Sequence, residues 1–131
     1  MKKYKIYETV KNYLTLYYEA VHKEQWLKWL VSGTGLPEKD VLKVVEEMFD
    51  EGLLYEYGGK VYYLDNVHYM VGHFNVVREQ FAFVENAERS VYINERHFNH
   101  ALDRDEVLIS IHQETRDFGK VITTVKHHRE I

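Results

Sequence analysis

The stretch 69–94 constrains the fold more than any other part of the chain, because it reads as three consecutive β-strands that carry aromatic residues at alternating positions. Phe81 and Phe83 flank Ala82, and Val84 follows. Successive side chains of a strand point to opposite faces of a sheet, so the two rings share one face and Ala82 and Val84 share the other. The pattern predicts a strand with one face for a core and another that carries aromatic rings.

The neighbouring segments repeat this arrangement. Tyr92 stands between Val91 and Ile93, which predicts an outward ring between two inward β-branched residues. Phe74 lies one strand earlier, before a tight turn that begins at Arg78. Flat exposed rings beside an arginine suit unpaired bases, which bind by stacking. A Phe-x-Phe pair alone favours a core, where most Phe residues are found, and only the whole stretch favours a binding surface.

The composition limits how such a surface could bind nucleic acid. The 131 residues suffice for one ordinary domain or two small ones, and 45% of them are hydrophobic, which is ample for a core. The formal net charge is −4, whereas proteins that bind nucleic acid through bulk electrostatics usually carry a basic patch. We therefore expect contacts with nucleic acid to depend on stacking and local charge, with modest affinity.

Membrane insertion and thiol chemistry are not expected for this chain. It has no cysteine, and no apolar run approaches the roughly 18 residues that a spanning helix needs. Its first residues are basic but lack the apolar run of a signal peptide. We expect a soluble, cytoplasmic protein without a membrane partner.

The basic residues change in kind along the chain. Residues 1–59 contain eight Lys and no Arg, whereas residues 60–131 contain three Lys and six Arg. Two turn-favouring residues, Asp65–Asn66, separate two strand-like runs near this change. We predict two domains, 1–65 and 66–131.

Helical periodicity dominates the first domain. Apolar spacing predicts three helices: Lys3–Tyr18, Lys23–Val31 and a third that begins at Pro37 and stops at Gly52. The residues expected on the buried face of the third helix are Val41, Leu42, Val45, Met48 and Phe49. Two β-prone runs joined by Gly58–Gly59 follow, which is a hairpin signal. Three helices and a hairpin predict a winged helix-turn-helix.

The outward face of the third helix argues against DNA recognition. In winged folds this helix often enters the major groove. Here the outward face carries four acidic residues and two lysines: Glu38, Lys39, Lys43, Glu46, Glu47 and Asp50. The acids would repel phosphates, so we expect a docking or accessory role and not sequence-specific DNA binding.

The second domain continues with two more alternating runs. A short helical or turn segment, 95–101, precedes strands near 107–112 and 121–125. Together with 69–94 they make five strands with a short helix after the third, which is the element count of an oligonucleotide-binding (OB) barrel. The predicted fold class is α+β, a winged helix-turn-helix followed by a five-stranded OB-fold, cold-shock-like β-barrel.

Three motifs of the second domain resemble a cold-shock domain. They are Gly72-His-Phe74, Gln80-Phe81-Ala-Phe83-Val84 and Val91-Tyr92-Ile93, and this run has the two aromatic RNA-contacting motifs of that family in the right order. The segments 101–108 and 119–122 extend the pattern. Preceded by a winged helix, this domain resembles the N-terminal region of the ribonuclease R/ribonuclease II family, and the resemblance covers nearly the whole chain.

The resemblance implies a function and a set of contacts. Members of this family cleave RNA from the 3′ end with magnesium held by clustered aspartates, in a catalytic domain that has no counterpart in this sequence. We therefore expect a non-catalytic segment without a cofactor, with single-stranded RNA and the catalytic domain of the parent enzyme as partners. The implied stacking residues are Phe74, Phe81, Phe83 and Tyr92, with Arg78 as a phosphate contact and His97 and Phe98 as further contacts.

Arg104 departs from the family pattern. The family usually has a glycine at this position, directly before the aspartate Asp105. The turn must therefore use a different backbone conformation or accept strain.

Other functions are open. A free-standing winged-helix and cold-shock regulator that binds nucleic acid or a protein is the alternative, and a pure protein-interaction module is a third class. The chain stops just after a strand, from which we expect a fragment of a longer protein. Without cysteine, the histidines are expected at the surface or partly buried and not on a metal, and no nucleophile motif supports catalysis.

Overall fold

The structure, a computed structural model, describes residues 3–17 and 22–128. The chain forms two compact units, Met1–Tyr63 and Leu64–Ile131. The described elements of the first unit are α1 (Lys3–Tyr17), α2 (Lys23–Thr34), α3 (Glu38–Asp50), β1 (Leu54–Tyr57) and β2 (Lys60–Tyr63). Those of the second are β3 (Tyr69–Arg78), β4 (Phe81–Glu85), β5 (Ser90–Asn94), a 3₁₀ turn (Glu95–His97), β6 (Glu106–Ile111) and β7 (Phe118–Lys126). None of the described helices is long and apolar enough to cross a membrane.

The first two helices form where the apolar spacing predicts them. In α1 the residues Ile6, Val10 and Leu14 recur every fourth position and are buried, while the predicted last residue, Tyr18, lies outside the described residues. The second helix runs three residues beyond the predicted end at Val31. It stops at Gly35, whose φ of 69° is the left-handed conformation that ends many helices.

The predicted buried face of α3 is wrong at two positions. Leu42 and Phe49 are 41% and 36% exposed. The buried stripe consists of Val41, Val44, Val45 and Met48. The last three of these residues follow Val41 by three, four and seven positions, so all four lie on one side of the helix. Leu42 and Phe49 lie outside this stripe and point away from the core.

A hairpin follows α3, as predicted. The strands β1 and β2 pair antiparallel, and Gly58 and Gly59 between them both have positive φ, which a tight hairpin turn requires. His22, directly before α2, makes an isolated antiparallel bridge with Lys60. The backbone N–H of Lys23 donates to the carbonyl of Gly59 over 2.7 Å, which ties the start of α2 to the hairpin.

The strands of the second unit close into a mixed barrel in the order β3-β4-β5-β7-β6. The pair β5–β7 is parallel and the others are antiparallel. A short 3₁₀ turn follows the third barrel strand. The α+β class and the five-stranded, OB-like barrel are thereby confirmed, with β4 and β5 as the second and third strands of the barrel.

A buried carboxylate fastens the loop before β6. Asp105 is 1% exposed, and its side chain accepts from the backbone N–H of Leu102 and of His128, both over 2.9 Å. Burial opposes its ionisation, but the two backbone donors and the contact with His127 outweigh it and lower its pKa. Arg104, next to it, has a φ of 71°, so the turn keeps the left-handed conformation that a glycine would take and accepts the strain.

Candidate nucleic-acid interface

A row of aromatic rings crosses three neighbouring strands of the barrel. Phe83 on β4 lies directly opposite Tyr92 on β5, and Tyr92 lies opposite Phe118 on β7. Their chain neighbours Ala82 and Ile93 are fully buried, so the rings stand on the outer face of the barrel. This confirms the predicted division of β4 and β5 into an inward and an outward face.

The rings form one continuous cluster. The centroids of Phe83 and Tyr92 are 5.9 Å apart and those of Tyr92 and Phe118 are 5.2 Å apart, both nearly perpendicular. Phe81 stacks on Tyr92 with centroids 5.4 Å apart and planes 22° apart. Phe81, Phe83, Tyr92 and Phe118 are called the aromatic face below. Rings that brace one another in this way lose little side-chain freedom when a base stacks on them.

Phe118 is the member that the sequence analysis missed. It is 49% exposed, whereas the other three rings are half-buried. The last strand was predicted to begin at Val121, but β7 begins at Phe118, because the backbone N–H of Tyr92 donates to the carbonyl of Asp117 and starts the pairing there. This parallel contact joins residues far apart in the sequence, so only an explicit alignment of the fifth barrel strand with the third would have indicated it.

Two predicted contact residues belong to the core. Phe74 is 0% exposed and is enclosed in the barrel, so it cannot stack on a base, and this prediction is wrong. The reason is its register on β3, because Phe74 lies opposite the inward Val84. Phe98 is half-buried and packs edge-to-face on Phe74 at 4.9 Å, which assigns it to the barrel's packing.

Cationic side chains border the aromatic face. Arg78 is exposed at the end of β3, opposite Phe81. Lys120 is exposed on β7 two residues after Phe118, and therefore on the same side of the strand. His97, in the 3₁₀ turn, lines a pocket of about 260 Å³ together with Lys120 and Phe118.

His97 has a distinct electrostatic environment. Partial burial, followed by the positive charges of Lys120 and Arg96, lowers its pKa below the ordinary 6.5. The imidazole is therefore neutral in the free protein near pH 7. A phosphate placed beside it would oppose these positive charges and favour the protonated form.

Within residues 3–17 and 22–128 there is no group of three or more His, Asp or Glu side chains that could hold a metal ion. No protein-family model matches this chain, and no curated protein matches its sequence. The likeness to ribonuclease R therefore stays a prediction.

Proposed function

We propose that the barrel binds single-stranded RNA across its aromatic face. The observation that carries this proposal is the row of Phe83, Tyr92 and Phe118, which spans β4, β5 and β7 with cations at its border. The face of the second and third strands is where OB folds bind oligonucleotides, and rings are the surface on which unpaired bases stack.

Stacking supplies most of the binding free energy in this proposal. Each base stacked on a ring contributes about 1–3 kcal/mol, as judged from alanine substitution. Arg78 and Lys120 are the fixed cations at the face. If each contacts one phosphate, the logarithm of the affinity falls with that of the salt concentration with a slope of about −1.4. A protein of net charge −4 fits such weak salt dependence.

The first unit is proposed to be a winged helix with an accessory role. The support is the order of three helices and a hairpin, with the bridge between His22 and Lys60 as a rudimentary third strand. The outward side of α3 exposes Leu42 and Phe49 among several acidic residues. Such a surface suits a protein neighbour better than the phosphates of DNA.

We further propose that the chain is the non-catalytic, cytoplasmic N-terminal segment of a ribonuclease R-like 3′–5′ exoribonuclease. It would guide RNA to a magnesium-dependent catalytic domain elsewhere in the parent protein. The support is the order of the two units and the cold-shock motifs of β3 to β5. An antibody against residues 64–128 tests this in source cells, where the proposal requires a product several times longer than this chain, with ribonuclease activity.

The alternative is a free-standing regulator in which α3 docks a protein partner. The exposed Leu42 and Phe49 favour it. A native product of the length of this chain would exclude the exonuclease assignment and leave the regulator, while RNA binding by the barrel would be unaffected.

The double variant Phe81→Ala, Phe83→Ala tests the RNA proposal. We expect it to weaken binding of a single-stranded RNA at least about tenfold in a fluorescence anisotropy titration, since two stacking contacts are lost. The matched control is Leu42→Ala, Phe49→Ala, which removes two exposed apolar side chains from the other unit and should leave the affinity unchanged. Unchanged affinity of the Phe81, Phe83 variant, with its circular dichroism intact, would refute the proposal.

A further inference from the structure

The barrel has a second concave site, which is lined by residues outside β4 and β5. It encloses about 580 Å³ and lies against β3, β6, the end of β7 and the loop before β6. Its lining residues are His73, Arg104, Glu106, Lys126, His127 and His128. Five of the six can carry positive charge.

The register of the sheet brings three of these side chains into one row. His73 on β3 lies opposite Glu106 on β6, and Glu106 lies opposite Lys126 on β7. Phe74 and Val107, the chain neighbours of the first two, are fully buried, so this row points out of the barrel.

Asp105 holds the backbone of His128 and the side chain of His127 beside this row. Its Oδ1 accepts from the backbone N–H of His128, and its Oδ2 lies 3.3 Å from Nδ1 of His127. The backbone N–H of Arg104 donates to the carbonyl of Phe74 over 2.6 Å, which fixes the strained turn against β3. The pocket is thus positioned by backbone hydrogen bonds before any ligand arrives.

The charge of the pocket favours an anion. Among the lining residues, Arg104 and Lys126 are two cations against one carboxylate, the half-buried Glu106. Nε of Arg104 also lies 4.0 Å from Oδ2 of the exposed Asp103, a surface ion pair of small energy, and Lys126 makes no salt bridge among the residues that the structure describes. The carboxylate of Asp105 is buried and engaged in hydrogen bonds to the backbone. The cluster does not form a metal site within the described residues. Guanidinium, ammonium and imidazole N–H groups on one concave surface are the donors that bind phosphate oxygens.

We propose that this pocket binds a phosphate group. The ligand is either a backbone phosphate of an RNA that also contacts the aromatic face or a free or terminal phosphate. Lys126 is eight residues from Phe118 along β7, which is about 26 Å at 3.3 Å per residue. The opposite end of the pocket adjoins the aromatic face, because His73 lies opposite Glu85, which is two residues after Phe83 on β4 and therefore on the same side of the sheet.

Inorganic phosphate is the first probe, and the imidazole proton signals of His73, His127 and His128 in NMR spectra are the readout. At fixed pH, we expect saturable shifts with phosphate and none with chloride at the same ionic strength. Lys126→Ala should weaken phosphate binding about tenfold, because it removes a charge-assisted hydrogen bond. Lys43→Ala, which removes the same exposed charge from α3, should leave it unchanged. The absence of saturable shifts, or equal affinity of wild type and Lys126→Ala, would overturn the proposal.

Oligonucleotides distinguish the two sources of phosphate. RNAs of about 4 and about 16 nucleotides, the limits of the site size of an OB fold, are prepared without terminal phosphates. Shifts of the three histidines with either unphosphorylated RNA, in addition to those with inorganic phosphate, assign the pocket to the RNA backbone. Shifts with inorganic phosphate and a 5′-phosphorylated RNA, but with neither unphosphorylated RNA, assign it to a free or terminal phosphate. Because Phe81 and Phe83 do not line the pocket, loss of RNA binding with retained phosphate binding in Phe81→Ala, Phe83→Ala would separate the two proposals.

Discussion

Replacement of Asp105 by alanine should destabilise the barrel by about 3 kcal/mol. Asp105 is 1% exposed and accepts two backbone N–H groups over 2.9 Å, from Leu102 and His128. Hydrogen bonds to a charged group contribute about 1.5–3 kcal/mol each, and the lower figure applies here because the buried carboxylate has lost its hydration. The contact with His127 adds little, since that side chain is largely exposed.

The same carboxylate should make stability depend on acid. The pKa of Asp105 is lowered from 3.8 in the folded protein, so the folded state holds its proton less tightly than the unfolded state does. Its contribution is present above pH 3.8 and is lost as the pH falls through the folded-state value. Asp105→Asn keeps the shape of the side chain and one acceptor but not the charge. Its free energy of unfolding should therefore be about 2 kcal/mol below that of wild type at pH 7, and this difference should shrink in acid.

Urea unfolding followed by the methyl NMR signals of Val107 and Ile109 measures both effects, because both residues are fully buried in the barrel. Tryptophan fluorescence does not suit this purpose, since Trp26 and Trp29 lie in the first unit. A loss below about 0.5 kcal/mol for Asp105→Ala, the size of an ordinary surface substitution, would refute the reasoning. So would a difference between wild type and Asp105→Asn that stays constant as the pH is lowered.

Three further predictions follow from the barrel and its face. Gly119→Ala should lower the free energy of unfolding by about 1–3 kcal/mol, because its Cβ would lie 2.7 Å from the carbonyl oxygen of Ser110; unchanged urea unfolding would contradict this. Arg104→Gly should be about 1 kcal/mol more stable than Arg104→Ala, since glycine adopts the φ of 71° without strain; equal stability would exclude strain there. RNA affinity should rise as the pH falls below 6.5 in wild type and not in His97→Gln, because phosphate favours the protonated imidazole against the charge of Lys120; a parallel rise in both proteins would remove His97 from the interface.

Most of the fold follows from local patterns. The period of two in β4 and β5 predicts which side of each strand is buried, and the glycine pair at 58–59 predicts the hairpin, because both depend only on neighbouring residues. The misplaced residues of α3 have a physical reason. Leu42 and Phe49 are as hydrophobic as the core residues beside them, and only the direction in which the helix packs decides which apolar positions are covered.

The candidate site was less accessible to sequence reasoning. Phe81, Phe83 and Tyr92 could be placed on one face from strand alternation, but Phe74 was placed with them although it is enclosed in the barrel. Phe118 joins the face through the parallel pairing of β5 and β7, a contact across 26 residues that no local pattern encodes. The phosphate pocket depends in the same way on the closure of β3 on β6 and β7.

NMR mapping of a single-stranded RNA on the protein tests the proposed function most directly. With an RNA of about 8 nucleotides, within the range of an OB fold, we expect the largest shifts at the aromatic ring signals of Phe81, Phe83, Tyr92 and Phe118. The buried ring of Phe74 should respond much less. If these rings show no shifts even at low salt, or if the shifts are confined to residues 3–17 and 22–63, the aromatic face does not bind RNA.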